Sequence, residues 1–353
     1  MAEKRITYRT KTDIDNTLKL RDVLKNLPPF ARDYFRSIDA TTTTKTRISY
    51  AYDIRIFFQF LLENNPSFKG KTMRDIDVGV LDQIKALDIE EYQEYLKVYQ
   101  NGERMETNGE RGLKRKISAL RSFYAYYYKR EMIHTNPTVL VDVPKIHQKS
   151  IVRLDADEVA MLLDYIEHCG DHLTGQKRVF YEKTKERDLA IVTLLLGTGI
   201  RVSECVGLDI EDVDFKNNGI KVTRKGGNEM VVYFGTEVEK ALRRYLEVRE
   251  GITPLAGHEH ALFYSSQRRR IGVQAVENLV KKYARQITTT KKITPHKLRS
   301  TYGTALYQET GDIYLVADVL GHRDVNTTKK HYAALDDARR RQAASAVRLR
   351  EEE

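Results

Sequence analysis

Cysteines are scarce in this sequence, and long apolar runs are missing. The 353 residues include two cysteines, Cys169 and Cys205, which lie far apart and match no metal-ligand spacing. Unpaired thiols of this kind are the default in a reducing compartment. The opening residues lack the apolar core of a signal peptide, and no stretch approaches the ~18 consecutive apolar residues of a transmembrane helix. We therefore expect a cytoplasmic protein with no membrane partner.

Positive charge, by contrast, is in excess. Lysine and arginine total 60 against 50 acidic residues, which gives a net charge of +10 and an isoelectric point near 9.3. Hydrophobic residues make up 41% of the chain, so it is globular, and its length allows two domains. A basic balance favours a polyanionic partner, of which nucleic acid is the first candidate, although many basic proteins are merely soluble.

Helical periodicity dominates the first part of the chain. Apolar residues recur at helical spacing from Tyr50 to Leu61, after threonines that can cap a helix. We predict a second helix at roughly 90–100 and a third that begins near Glu110. The sequence therefore predicts an all-helical unit over 41–143. The other predicted segments are an N-terminal extension over 1–40 and a linker at 144–153, after the prolines that stop the helices.

The third helix combines an apolar stripe with a basic face. Lysine and arginine recur between 111 and 130 without a single acid, and serine and tyrosine are interleaved with them. A charge run alone is typical of a solvated helix face, but the absence of acids favours contact with phosphates. The predicted DNA-binding residues are Arg111, Lys114, Arg115 and Arg121.

The second part of the chain predicts a mostly helical unit with a small antiparallel sheet. Two β-branched runs on either side of Gly226-Gly227 indicate a hairpin. A buried helix ends at the Gly-Thr-Gly turn before Arg201. We interpret 168–183 as a loop and 261–266 as a short strand. Further helices are predicted at about 272–286, 295–309, 312–320 and 325–333. The fold class is therefore mainly α.

Six polar residues of this second part occupy places that a core would not choose. Taken singly, each is ordinary: a cap, a turn residue, a surface lysine, or one of 21 tyrosines. Together they match the needs of a phosphodiester under nucleophilic attack. The candidate catalytic residues are Arg201, Lys225, His296, Arg299, His322 and Tyr332.

The chemistry assigns each residue type a task. Arginines clamp the non-bridging oxygens of a phosphate through charge-assisted hydrogen bonds, and histidines add donors. A tyrosine can store the bond energy as a phosphoester, and a lysine can protonate the departing 5′ oxygen. This chemistry requires no metal, and the sequence lacks the acidic cluster of a two-metal nuclease. We expect no cofactor.

Four segments carry a resemblance to a known family. The motifs "GTGIRVSECVGLDIEDVD", "VTRKGGNEMVVYF", "TPHKLRSTYGTAL" and "LGHRDVNTTKKHY" are similar to the signature boxes of the tyrosine recombinases, or phage integrase family. The helices at "TKTRISYAYDIRIFFQFL" and "ISALRSFYAYYYKREMIHTNPTVLVDVPK" resemble the core-binding, SAM-like domain of that family. The resemblance spans about 40 to 335 and looks closest to the single-protein Xer recombinases of the XerS type.

The resemblance implies a role for each candidate residue. Arg201 would be the first catalytic arginine, Lys225 the hairpin lysine, and Tyr332 the nucleophile. His296 and Arg299 would form the His-x-x-Arg pair, and His322 would be the further histidine. Glu204 would support the site. Ser300 departs from the family pattern, in which many members carry histidine at that position.

The family also implies an assembly. The activity would be DNA cleavage through a 3′-phosphotyrosine, then strand exchange, by a homotetramer on double-stranded DNA without a cofactor. The catalytic domain would cover 154–336, and the tail at 337–353 would dock on a neighbouring subunit in a head-to-tail ring. A DNA translocase is a further candidate partner in the Xer subgroup.

Three alternatives to Xer-type chromosome dimer resolution stay open at this point. An integrase of a mobile genetic element would carry the same catalytic motifs. A type IB topoisomerase would use the same chemistry as a monomer, although the C-terminal segment argues against it. A catalytically inactive DNA-binding protein is disfavoured because all six catalytic positions are filled. The motifs do not specify the target DNA site, the need for an activating partner or the order of strand exchange.

Overall fold

A computed structural model describes residues 7–147, 151–224, 227–322 and 324–326. The chain divides into two compact units, Met1–Lys149 and Ser150–Glu353. The described residues are mostly helical and form two small antiparallel sheets, which confirms the predicted fold class. Within the described ranges, no helix has the length and apolar character needed to cross a membrane.

The first unit is built from helices and one β-hairpin. Its helices are α1 (Tyr8–Leu24), α2 (Ala31–Ser37), α3 (Thr44–Asn64), α4 (Val80–Gln83), α5 (Ala86–Tyr95) and α6 (Glu110–Lys129), with 3-10 turns at Pro66–Phe68 and Pro137–Val139. The strands β1 (Val98–Asn101) and β2 (Arg104–Thr107) pair with each other in antiparallel register.

The hairpin corrects the prediction of an all-helical unit. The helix predicted at roughly 90–100 ends at Tyr95, and the chain turns back through Gly102-Glu103, between the paired residues Asn101 and Arg104. Gly102 has a φ of 64°, which glycine adopts without strain, and glycine at the first position of a two-residue loop is typical of a tight hairpin turn. The helical continuation was therefore wrong because the turn residues outweigh the apolar spacing before them.

The core of the first unit lies between α3 and α6. The apolar stripe predicted on α6 is buried, including Leu120, Tyr124 and Tyr127. Residues from the predicted N-terminal extension pack into the same core: the Tyr34 hydroxyl donates to Ser122 Oγ at 2.8 Å, and the Tyr127 hydroxyl donates to the Phe30 carbonyl at 2.8 Å. The segment before residue 40 thus contributes to the helical unit.

The second unit surrounds one long buried helix. Its helices are α7 (Ala156–His168), α8 (Gly175–Thr198), α9 (Val202–Gly207), α10 (Thr236–Glu250), α11 (Val273–Ile287), α12 (Pro295–Thr310) and α13 (Ile313–Leu320), and its 3-10 turns are Cys169–His172 and Ile210–Asp212. The sheet has the order β3 (Val213–Asp214), β4 (Gly219–Thr223) and β5 (Glu229–Tyr233), so the predicted hairpin is confirmed.

Two local predictions in this unit were wrong. The segment 168–183, expected as a loop, enters α8 at Gly175. The cause is tertiary: the buried Tyr181 ring packs beneath α7, and its hydroxyl donates to the Ile166 carbonyl at 3.0 Å. The segment 261–266, expected as a strand, forms only isolated bridges at Ala261 and Tyr264.

The ends of three helices in the second unit, α8, α12 and α13, converge on the predicted site. Helix α8 ends at Gly199, which has a φ of 62° and leads directly into Arg201. A Cβ at Gly199 would overlap the Tyr302 ring, so both the conformation and the contact require glycine there. Helix α12 begins at Pro295, the favoured first-turn position for proline, and α13 ends at Gly321.

Candidate active site

Arg201 is held at the start of α9 by an acid from its own first turn. One Glu204 carboxylate oxygen accepts the Arg201 backbone N–H at 2.8 Å, and the other accepts Arg201 Nη1 at 2.7 Å. Glu204 is buried, whereas the Arg201 side chain is 36% exposed. The carboxylate therefore fixes the guanidinium while part of it stays open to solvent, which is the arrangement expected of an anion clamp.

Arg299 is buried and connects the end of α8 to the end of α13. It lies on α12, and its Nη1 donates to the Gly199 carbonyl at 2.6 Å while Nη2 donates to the Leu320 carbonyl. These bonds tie the turn before Arg201 to the end of α13. Two arginines predicted from the sequence are thereby brought to one place by contacts between residues far apart in the chain.

The end of α13 presents His322. The backbone N–H of His322 donates to the Ala317 carbonyl at 2.9 Å, and that of Gly321 donates to the Asp318 carbonyl at 2.7 Å. Gly321 has a φ of 60°, so this is a Schellman ending with glycine in the left-handed region. Arg201 Nη2 donates to the Gly321 carbonyl at 3.3 Å. The half-buried His322 therefore stands next to a carbonyl that one of the site arginines contacts.

A further arginine, which the sequence motifs did not single out, lies at the same place. Arg224 is 8% exposed, and its Nη2 donates to the Val319 carbonyl at 2.7 Å. Burial lowers the pKa of the Arg224 guanidinium, and the neighbouring Arg201 cation acts in the same direction, while Glu204 acts against it. Val222 is buried, Thr223 is exposed and Arg224 is buried. Because successive side chains of a strand point to opposite faces, the two-residue spacing from Val222 was the sequence signal that could have predicted an inward Arg224.

Of the three remaining catalytic candidates, His296 alone lies among the described residues. His296 lies exposed in the first turn of α12, one turn before Arg299, where the positive end of the helix dipole favours an anion. Lys225 and Tyr332 lie outside the described residues. Lys225 follows Arg224 directly in the sequence, and Tyr332 follows the His322 segment.

The basic residues predicted to contact DNA have different surroundings on and around α6. Arg111 and Lys114 are exposed. Arg115 is also exposed, but it donates to the buried carboxylate of Asp53. Arg121 donates through Nε to the Thr138 carbonyl at 3.0 Å and through Nη2 to the Val141 carbonyl at 2.6 Å. Arg115 and Arg121 thus hold contacts within the unit, while Arg111 and Lys114 lie exposed on α6.

Taken together, the described part of the second unit gathers arginine donors around the end of one helix. Such a group can bind a phosphate by charge-assisted hydrogen bonds and can stabilise the charge that develops on its oxygens. The parts of the chain that the structure describes contain no group of three or more His, Cys, Asp or Glu side chains suited to a metal ion.

We expect Glu204→Gln to slow strand cleavage. Both Arg201 groups that bind the Glu204 carboxylate are donors, and an amide offers only one acceptor oxygen, so one hydrogen bond is lost. The loss of one charge-assisted bond predicts a rate about tenfold lower, with unchanged DNA affinity. The measurement is single-turnover cleavage of a nicked DNA site. Glu237→Gln, at an exposed position on α10, is the control, and a wild-type rate for Glu204→Gln would contradict the role.

Comparison with known proteins places these motifs in context. Residues 152–339 match the model of the phage integrase family. The chain is 33% identical to the tyrosine recombinase XerC of Caldanaerobacter subterraneus subsp. tengcongensis over 95% of this chain and 91% of that protein. It is 29% identical to the tyrosine recombinase XerS of Streptococcus equi subsp. zooepidemicus over 90% of this chain and 95% of that protein.

Solved structures share the fold. The Tn1549 transposon integrase in complex with circular intermediate DNA gives a TM-score of 0.62 at 23% identity and covers 89% of this chain and 98% of that one. The XerH site-specific recombinase bound to a palindromic difH substrate gives a TM-score of 0.62 at 21% identity and covers 86% of this chain and 79% of that one. At these identities the likeness concerns the architecture alone.

Proposed function

Because this chain is a member of the phage integrase family, as its motifs predicted, we propose that it is a Xer-type site-specific DNA recombinase. It cuts and rejoins DNA through a 3′-phosphotyrosine intermediate. The observation that carries the proposal is the convergence of Arg201 and Arg299 on the turn before His322. Arginine donors at one point, with a histidine beside them, are what a phosphodiester under attack requires.

In this proposal each residue has one task in a balanced transfer. The Tyr332 hydroxyl loses its proton to solvent, and its phenolate oxygen attacks the scissile phosphorus while the bond from phosphorus to the 5′ oxygen breaks. Arg201, Arg299 and the two histidines, His296 and His322, stabilise the charge on the non-bridging oxygens. Lys225 protonates the departing 5′ oxygen, and the 5′ hydroxyl of another strand later reverses the step.

The biological role proposed is resolution of chromosome dimers, which is what the resemblance to the Xer recombinases implies; the similarity to proteins named XerC and XerS supports this proposal. The active form is a homotetramer on double-stranded DNA. The segment 337–353, outside the described residues, docks on a neighbouring subunit to close the ring. A DNA translocase is the candidate activating partner. A mobile-element integrase remains the second candidate because it would carry the same catalytic motifs.

The domain assignment proposed from the sequence complements this role. Residues 41–143 form the core-binding domain that contacts DNA, 144–153 form the linker, and 154–336 form the catalytic domain. The exposed basic residues on α6, Arg111 and Lys114, supply phosphate contacts in the first of these. Arg115 and Arg121 add charge to the same helix while they also hold structural contacts.

We expect charge reversal on α6 to change the salt dependence of DNA binding. Each neutralised phosphate contributes about 0.9 to the slope of log affinity against log salt concentration. The double variant Arg111→Glu with Lys114→Glu is therefore expected to reduce that slope by about two, with a similar weakening on all DNA sequences. Lys25→Glu, exposed in the same unit, serves as the control variant. An unchanged slope in the double variant would remove α6 from the interface.

The proposed function is tested by covalent capture. Purified protein is mixed with sheared host DNA and denatured, and the DNA that stays attached is sequenced. Adducts at a single chromosomal palindrome-like site near the replication terminus are expected for dimer resolution, and adducts at the ends of a mobile element indicate integration. Scattered adducts without sequence preference would indicate a topoisomerase. The absence of adducts with intact DNA binding would overturn the enzymatic proposal.

A further inference from the structure

Three arginines from separate segments of the second unit bind consecutive carbonyls at the end of α13. Arg224 donates to the Val319 carbonyl, Arg299 to that of Leu320, and Arg201 to that of Gly321. The two preceding carbonyls are already used by the glycine ending of the helix. Cations are favoured at the negative end of a helix dipole. The turn that carries His322 is thus held by guanidinium groups, and only two of them belong to the predicted catalytic set.

Arg224 is unusual among the three because part of its guanidinium is buried without a partner. Its Nε and Nη1 atoms are inaccessible and lack a hydrogen bond among the described residues. Nη1 lies so close to Gly321 that a Cβ on that glycine would overlap it. Buried donors without partners are rare because they cost free energy, and each needs an explanation. A residue kept only for stability is not expected to carry this cost.

The position of Arg224 suggests a function that explains its unpartnered buried donors. It directly follows β4, its backbone N–H donates to the Asn228 carbonyl at 2.7 Å, and the next residue in the sequence is Lys225. Its side chain contacts the end of α13, and the residue after Gly321 is His322. Gly321 covers Nη1, which excludes a phosphate from that atom. Arg224 is therefore placed to act through its neighbours, by linking the two segments that carry them.

We propose that Arg224 is a positioning residue that couples the hairpin carrying Lys225 to the α13 ending carrying His322. This inference rests on the proposed function. With Arg224 in place, the hairpin is anchored at the helix end that Arg201 and Arg299 also contact. This anchor positions Lys225, the proposed proton donor, relative to the scissile phosphate. Without Arg224, the hairpin lysine loses this anchor, while the phosphate clamp keeps its own contacts.

The test compares Arg224→Met with Arg224→Lys in the full-length protein. Methionine keeps length and apolar volume but has no donor and no charge, whereas lysine can still donate to the Val319 carbonyl. Single-turnover cleavage is measured on a nicked DNA site with an ordinary 5′ oxygen at the scissile phosphate. We expect Arg224→Met to cleave roughly 10- to 100-fold more slowly, a part of what general acid catalysis supplies, and Arg224→Lys to recover most of the rate.

A second substrate separates positioning of the acid from a general loss of structure. A 5′-bridging sulfur makes the leaving group a thiolate, which departs without protonation because a thiol is far more acidic than an alcohol. Arg224→Met is expected to cleave this substrate at nearly the wild-type rate, whereas Arg201→Ala is expected to be slow on both substrates. Lys221→Met, exposed on the same strand, is expected to match the wild type on both.

Thermal stability completes the test. Arg224→Met removes two unpartnered buried donors but also the hydrogen bond to the Val319 carbonyl, and these effects oppose each other, so its melting temperature is expected to stay close to that of the wild type. An unchanged rate on the oxygen substrate, an equal loss on both substrates, or a fall in melting temperature that parallels the lost activity would each overturn the proposal. Failure of the wild type to form any adduct would instead count against the proposed function, so the two failures are distinguishable.

Discussion

Tyr332→Phe is expected to bind DNA with wild-type affinity and to form no covalent adduct. Phenylalanine keeps the ring but lacks the hydroxyl oxygen, so no phosphotyrosine can form. Removal of a nucleophile predicts a loss on the order of 10⁴-fold or more in the rate of cleavage. The measurement is adduct formation on a nicked recombination site, resolved by denaturing electrophoresis, with DNA affinity determined in parallel.

The matched control is Tyr314→Phe, at the nearest other tyrosine before the proposed nucleophile. Tyr314 lies on α13, is 71% exposed, and is expected to be replaceable without effect on the cleavage rate. Adducts that persist in Tyr332→Phe and vanish in Tyr314→Phe would reassign the nucleophile. Adducts that persist in both variants would point to a different residue altogether.

Arg299→Ala is expected to reduce both the cleavage rate and the stability. The rate is expected to fall by about 10²- to 10³-fold, the usual effect of deleting one donor that stabilises developing charge. The free energy of unfolding is expected to fall as well, because the Gly199 and Leu320 carbonyls lose their buried partner. An unsatisfied buried polar group costs about 1–3 kcal/mol. Single-turnover cleavage and denaturant unfolding measure the two effects.

Arg299→Lys separates the two contributions. A lysine can donate to one of the two carbonyls but cannot bridge both as a planar guanidinium does. Stability is therefore expected to recover in part, while the cleavage rate stays low. Arg285→Ala, at an exposed position on α11, is the control and is expected to change neither quantity. A wild-type rate in Arg299→Ala would contradict a role for this arginine at the phosphate.

The helices that frame the site were predictable because their signals are local. The glycines that end α8 and α13 and the proline that begins α12 mark boundaries that the structure confirms within a residue or two. The β4–β5 hairpin followed from β-branched runs around paired glycines. These signals depend on backbone conformation and short-range periodicity, which the sequence contains directly.

The features that the sequence did not predict depend on contacts between distant residues. The start of α8 is stabilised by Tyr181 beneath α7, and a loop assignment from composition could not anticipate that packing. Strand alternation could have indicated that Arg224 points inward. It could not have indicated its partner, the Val319 carbonyl at the end of a helix far along the chain. Arg121 looked like a phosphate ligand on an acid-free face, yet its guanidinium holds two backbone carbonyls.

The buried charges of the first unit also depend on a contact between distant residues that the sequence did not predict. Asp53 lies buried on α3, and its carboxylate accepts from Lys116 Nζ at 3.2 Å and from Arg115. Burial raises the pKa of Asp53, while the two cations counter that rise. The helical spacing of α6 indicated which side is apolar, but only the folded core shows that Lys116 is buried with an acid from another helix.

The chemistry of the DNA ends tests the central claim most directly. A duplex with a nick close to the target site traps the cleaved strand on the protein, and the adduct is digested and analysed by peptide mass spectrometry. We predict a 3′-phosphate joined to Tyr332 and a free 5′ hydroxyl on the released strand, detected by its ability to accept a label from a polynucleotide kinase. A 5′ phosphate with a free 3′ hydroxyl and no attached peptide would contradict a tyrosine recombinase mechanism.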